Sequence, residues 1–129
     1  MKRGRKKILI CDDEPGVRDA LRLILETDYK LYYSRNGRDA VERVERFKPD
    51  FVMMDIKMPF LNGLEALKQI RRTNPAVPVL VVSGYEASDV AAEAIRAGAN
   101  DYLTKPFHKD EVARKVRSML GTQKGRTVR

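Results

Sequence analysis

Five short apolar runs, each followed by a longer stretch of helical periodicity, constrain this chain more than any other feature. The runs are KILIC (7–11), KLYYS (30–34), DFVMM (50–54), VLVVS (79–83) and DYLT (101–104). Between them, apolar residues recur every three or four positions, the mark of a helix with one buried face. Residues 15–27 align Val17, Leu21, Ile24 and Leu25, with Pro15 suited to the first helical turn. After a turn at Asn36-Gly37, Ala40, Val41, Val44 and Phe47 line a second helix that ends at Lys48-Pro49. Leu64, Leu67 and Ile70 line a third, opened by Asn62-Gly63 and broken at Asn74-Pro75. A fourth runs from a cap at Ser88 or Asp89 through Ala97, with Gly98 as its stop. Val112, Val116, Met119 and Leu120 give residues 109–120 an inward face. Strict alternation of strand and helix predicts an α/β fold, a doubly wound, flavodoxin-like sandwich whose five parallel strands are covered on both faces. Right-handed crossovers prune the topologies, and a strand order of 2-1-3-4-5 is expected.

Composition bounds the functional classes. A chain of 129 residues suffices for one domain with a real core. With 43% apolar and 34% charged residues it has the balance of a globular protein, not a disordered one. No apolar run approaches the roughly 18 residues of a membrane span. The run ILIC after the basic start is shorter than the roughly 7–15 residues of a signal-peptide core, so a cytoplasmic location is expected. The single cysteine, Cys11, excludes an internal disulfide and a cysteine-based metal site, and its place in a strand suits a buried small hydrophobe. The net charge of +8 resides at the ends, in Lys2, Arg3, Arg5, Lys6 and Lys7 and in Lys124, Arg126 and Arg129. The rest of the chain balances its acids and bases. The expected organisation is a basic N-terminal tail (1–6), a domain (7–120) and a basic C-terminal tail or start of a linker (121–129). Excess charge at the ends argues against direct nucleic-acid binding by the folded domain.

The polar residues that end four of the five strands carry the chemistry. Asp12 and Asp13 follow the first strand, Asp55 the third; Ser83 ends the fourth and Lys105 follows the fifth. In an open parallel sheet these ends line one crevice. Taken alone, one of Asp12 and Asp13 reads as a helix cap rather than a ligand, Ser83 as a turn residue before Gly84, and Lys105 as a solvated charge. Together, three carboxylates at close range require a cation, because two unit charges about 4 Å apart cost roughly 4 kcal/mol at an effective dielectric near 20. A hard divalent ion suits oxygen ligands, so Mg²⁺ is expected, with Mn²⁺ as a substitute. No histidine or second cysteine accompanies the acids, which argues against zinc. Pro106 permits a cis Lys105–Pro106 bond that would aim Lys105 inward.

The strings CDDEP, MDIKMPFLNG, VVSGY and NDYLTKPF, in this order and spacing, resemble the signatures of two-component response-regulator receiver domains of the chemotaxis and sporulation-relay type. The resemblance spans residues 7–120. It implies a phosphoacceptor that assists its own phosphorylation and dephosphorylation rather than an enzyme. Asp55 would take the phosphoryl group from the phosphohistidine of a sensor histidine kinase, or from a phosphotransfer protein or small phosphodonor. Asp13 would bind Mg²⁺ directly and Asp12 through water; Asp55 and the backbone carbonyl of Lys57 would complete the protein ligands. Lys105 and Ser83 would grip phosphoryl oxygens, and Tyr102 would be an aromatic switch altering the face made by the fourth helix, fifth strand and fifth helix. Lys57 and Tyr85 occupy positions that modulate dephosphorylation, and their bulk predicts slow loss of the phosphoryl group. A downstream effector protein or fused output domain is the implied partner, with homodimerisation on phosphorylation a further expectation.

Other readings fit less well. Phosphatases of the haloacid dehalogenase type carry a second aspartate two residues after the nucleophile, where this chain has Lys57. A phosphorylation-independent, receiver-like binding module would lack some of the acids or the lysine, and all are present. No G-x-G-x-x-G follows the first strand, so a dinucleotide site lacks support. Met53, Met54 and Met58 read as packing, and His108 as an exposed helix-start residue.

Overall fold

A computed structural model describes residues 4–84 and 88–121. The strands are β1 (Lys7–Cys11), β2 (Lys30–Ser34), β3 (Phe51–Met54), β4 (Val79–Ser83) and β5 (Asp101–Thr104); the helices are α1 (Pro15–Leu25), α2 (Gly37–Phe47), α3 (Gly63–Thr73), α4 (Ser88–Arg96) and α5 (Lys109–Leu120). All paired strands run parallel, and the sheet order is β2-β1-β3-β4-β5. This is the expected order, and β1, β3 and β4 lie side by side at its centre.

The period-2 alternation of strand side chains splits the core into two layers. Leu9, Val52, Met54, Val79 and Val81 pack with Ala40, Val44, Ala66, Leu67, Ile70 and Ala94 of α2, α3 and α4. Ile8, Ile10, Phe51, Met53, Leu80, Val82 and Leu103 pack with Leu21 and Leu25 of α1 and Val112 and Val116 of α5. Each fully buried aliphatic side chain contributes roughly 1.5–3 kcal/mol. Cys11 is buried in the first layer, where loss of hydration raises its thiol pKa and leaves it neutral.

Both Asn-Gly pairs begin helices. The Asn36 side chain accepts the Asp39 amide at 2.7 Å and that of Asn62 accepts the Glu65 amide at 3.0 Å, each replacing a missing helical bond. The glycines answer a second demand. A Cβ on Gly63 would collide with the Asp55 carbonyl, and one on Gly37 with the Leu61 carbonyl. Backbone thus lies directly on backbone at both ends of the loop after β3. Within that loop Phe60 adopts a left-handed backbone (φ 69°) and is 80% exposed.

Four boundaries differ from expectation, the first being that α4 begins at Ser88 itself, with Asp89 in its first turn, so neither precedes the helix as its cap. α1 stops at Leu25 rather than Thr27, and Arg5 takes the carbonyls of Glu26 and Thr27 just beyond it at 2.9 and 3.0 Å. β3 starts at Phe51 rather than Asp50, whose carboxylate accepts the Lys7 amide at 2.8 Å and secures the start of β1. α4 stops at Arg96 rather than Ala97. The amide of Gly98 (φ 116°) bonds to Ile95 and that of Ala99 to Ala94, both at 3.0 Å. This paired closure requires a left-handed residue at the glycine.

Candidate functional site

The strand register carries the polar residues to one rim. Backbone pairing continues just beyond the strand ends: the Asp12 amide donates to Ser34 at 3.0 Å, that of Asp55 to Cys11 at 2.9 Å and that of Lys105 to Ser83 at 2.8 Å. The side chains above these bonds are therefore held at fixed separations. They border a cleft of about 680 Å³ lined by Asp13, Glu14, Asp55, Lys57, Ser83 and Lys105, with Met58, Pro59 and Gly84 closing its wall. The Lys105–Pro106 peptide is cis.

Carboxylate oxygens of Asp12, Asp13 and Asp55 all lie within 4.8 Å of one another. Asp12 and Asp55 are buried, at 2% and 5% exposure, while Asp13 is exposed. The Lys105 ammonium stands 2.9 Å from Asp12, 3.0 Å from Glu14 and 3.5 Å from Asp55. The Lys105 ammonium thus faces three carboxylates, a cluster with surplus negative charge. Oxygen donors at this spacing fit a hard divalent cation, whose charge would offset the surplus.

Electrostatics sharpen the assignment. Burial, and then the neighbouring Asp12 charge, push the Asp55 carboxyl up to about 6, against the opposing pull of Lys105 and a hydrogen bond from the Lys57 amide. Burial also raises Asp12, against hydrogen bonds from the Glu14 amide and Lys105. Burial alone would lower the Lys105 ammonium. Its hydrogen bonds to Asp12 and Glu14, with the charges of Asp12 and Asp55, outweigh that effect and keep it firmly protonated. Asp55 is therefore a carboxylate under electrostatic stress, which a bound cation would relieve.

Ser83 is buried at the β4 end and borders the cleft. Tyr102 is half-buried on β5, packed against the core layer shared with α4. Lys57 is exposed on the cleft rim, whereas Tyr85 lies outside the described residues. Met53, Met54 and Met58 are buried, and His108 is an exposed residue preceding α5 whose side chain makes no cap bond. Neither aspartate occupies the N-cap of α1. That position belongs to Glu14, although one Asp12 oxygen accepts the Glu14 amide at 3.0 Å. Two participants were missed in the sequence. Glu14 was the unused third acid of CDDEP; Arg18, one turn into α1, donates to the Asp12 carbonyl at 2.7 Å.

The family model for the response regulator receiver domain matches residues 8–117. Response regulator MprA of Mycolicibacterium vanbaalenii is 36% identical over 115 residues, covering 88% of this chain and 50% of MprA. The chain thus spans about half the length of the MprA regulators it matches. Chemotaxis protein CheY of Thermotoga maritima is 39% identical over 109 residues, covering 83% of this chain and 91% of CheY. Among solved structures, the response regulator domain of Thermotoga maritima CheB superposes with a TM-score of 0.82 at 34% identity, covering 92% of this chain and 98% of that one. A chain of the CheX–CheY–BeF3–Mg²⁺ complex from Borrelia burgdorferi gives 0.86 at 22% identity, with 91% and 90% covered, a likeness of fold alone.

Proposed function

The chain belongs to the response regulator receiver domain family, and we propose that Asp55 is its phosphoacceptor. The observation that carries this reading is the Asp55 carboxyl itself, buried at a strand end, crowded by two further aspartates and 3.5 Å from a lysine ammonium. An Asp55 oxygen attacks the phosphorus of a donor phosphohistidine. The new O–P bond forms as the P–N bond breaks, and the imidazole departs with the electron pair. Such transfers depend on positioning and charge neutralisation more than on covalent machinery. Lys105 supplies positive charge to the incoming phosphoryl oxygens, and the Ser83 hydroxyl donates to one of them.

Asp12, Asp13, Asp55 and the Lys57 carbonyl would hold Mg²⁺, or Mn²⁺ in its place. The ion would neutralise phosphoryl charge when bound. The cluster is acidic enough to favour it, and Lys105 alone does not balance the acids.

The phosphoryl group carries about −1.5 to −2 charge and three acceptor oxygens in place of the single carboxylate charge. Ser83 moves toward them and vacates space on the side of Tyr102, which turns inward and changes the α4-β5-α5 face. This is a biased two-state element rather than a new fold. The partners are a sensor histidine kinase or phosphotransfer protein upstream and an effector protein or output domain downstream, with homodimerisation as one route of output. No described helix is long and apolar enough to cross a membrane, and action in the cytoplasm is part of the proposal. The chain's catalytic role is confined to assisting its own phosphorylation and dephosphorylation.

Titration with beryllofluoride and Mg²⁺, followed by amide NMR, tests the reading. Shifts are expected at Asp55, Ser83 and Tyr102, and not in Asp55→Asn. If Tyr102 is undisturbed while Asp55 shifts, the switch fails and the phosphoacceptor stands; if neither shifts, both fail.

A further inference from the structure

Glu14 occupies the N-cap of α1 yet makes no side-chain cap bond. Short polar side chains serve that position well, and glutamate is not among them. Its carboxylate instead reaches 91 residues along the chain to Lys105, at 3.0 Å. Lys105 has three N–H donors. Asp12 and Glu14 engage it at 2.9 and 3.0 Å, while Asp55 stands back at 3.5 Å. Asp12 is buried and fixed by the Glu14 amide, whereas the Glu14 side chain is 61% exposed.

We propose that Glu14 is a positioning residue that competes with Asp55 and the incoming phosphoryl group for Lys105. The inference rests on the receiver reading above. In the resting cleft Glu14 draws the ammonium toward the solvent-facing rim and adds negative charge at the entrance. Two consequences oppose phosphorylation: Lys105 must leave Glu14 to meet a phosphoryl oxygen, and an anionic donor must approach an acidic rim. The exposed Glu14 carboxylate holds Lys105 weakly, so it sets a rate without blocking the reaction. It yields when the more highly charged phosphoryl group arrives.

Replacing Glu14 with glutamine removes the charge and keeps the size. With acetyl phosphate at saturating Mg²⁺, an Asp55 oxygen attacks phosphorus, the P–O bond to acetate breaks and acetate leaves. Glu14→Gln should raise this pseudo-first-order rate about two- to fivefold at low ionic strength, the range an exposed ion pair commands. The advantage should shrink toward unity in high salt, because screening silences an exposed charge and leaves packing unchanged. A crystal structure of Glu14→Gln should bring the Lys105 ammonium closer to Asp55 than the present 3.5 Å. Equal or slower phosphorylation of the variant beside a wild type that labels normally overturns the competition alone, as does a salt-independent gain or an unmoved Lys105. A wild type that takes up no phosphoryl group overturns the receiver reading together with it.

Discussion

Replacing Asp55 with asparagine should stabilise the metal-free protein. The Asp55 carboxyl is raised from 3.8 to about 6, so folding disfavours its ionised form. The stability it contributes is fully present below 3.8 and is lost as pH rises through about 6. At neutral pH the wild type bears the whole cost. At 1.36 kcal/mol per unit, that cost is at most about 3 kcal/mol. Asparagine matches the shape of the neutral acid but not its hydrogen bonding, so the expected net gain is about 2 kcal/mol. In urea, with a slope of roughly 1–3 kcal/mol per molar, the midpoint should move up by about 1 M. The assay is urea denaturation of both proteins with a chelator present, at neutral pH and again near 4. The gain should be present at the first and nearly absent at the second. Mg²⁺ should then reverse the order at neutral pH, since a ligand bound only by the folded state stabilises by mass action and the variant has lost one carboxylate for it. A variant that is less stable than wild type in chelator at neutral pH, or equally favoured at both pH values, would show that the Asp55 charge does not strain the fold.

Further outcomes follow from the same geometry. Gly63→Ala should cost more than about 2 kcal/mol and slow phosphorylation, because its Cβ meets the Asp55 carbonyl and the loop must shift; thermal melts and acetyl phosphate kinetics read both effects. Phe60→Asn should raise stability by roughly 0.5–1 kcal/mol in a denaturant titration, since asparagine tolerates the left-handed backbone and little buried surface is lost. Lys57→Asn and Tyr85→Ala should each speed phosphoryl loss, followed as decay of the labelled protein after donor removal; unchanged decay in both would end the proposal that these side chains obstruct water. Cys11 should react with thiol reagents no faster than the chain unfolds, because it is buried and held neutral.

What could be read in advance followed local periodicity. Val17, Leu21, Ile24 and Leu25 marked the inward face of α1 through their spacing, and Leu21 and Leu25 are fully buried. The fold places Asp12, Asp55, Ser83 and Lys105 at one rim because each ends or follows a parallel strand, and parallel strands all end on one side. What escaped depends on contacts distant in the chain. The carbonyls just past α1 are taken by Arg5, 21 and 22 residues away, which no window over α1 contains. Glu14 resembled one more surface acid until Lys105 came within 3.0 Å. Asn62-Gly63 was legible as a helix start and Asn36-Gly37 only as a turn, and the need for glycine at Gly63 came from the Asp55 backbone folding against it.

Asp55 is proposed to accept a phosphoryl group in a Mg²⁺-dependent reaction. Intact mass after incubation with acetyl phosphate tests it most directly, in wild type and Asp55→Asn, with Mg²⁺ and with chelator. The wild type with Mg²⁺ should gain one phosphoryl group, and the other three samples none. A gain that survives the substitution or the chelator, or a wild type that gains nothing from acetyl phosphate or from a phosphorylated histidine donor, would contradict it.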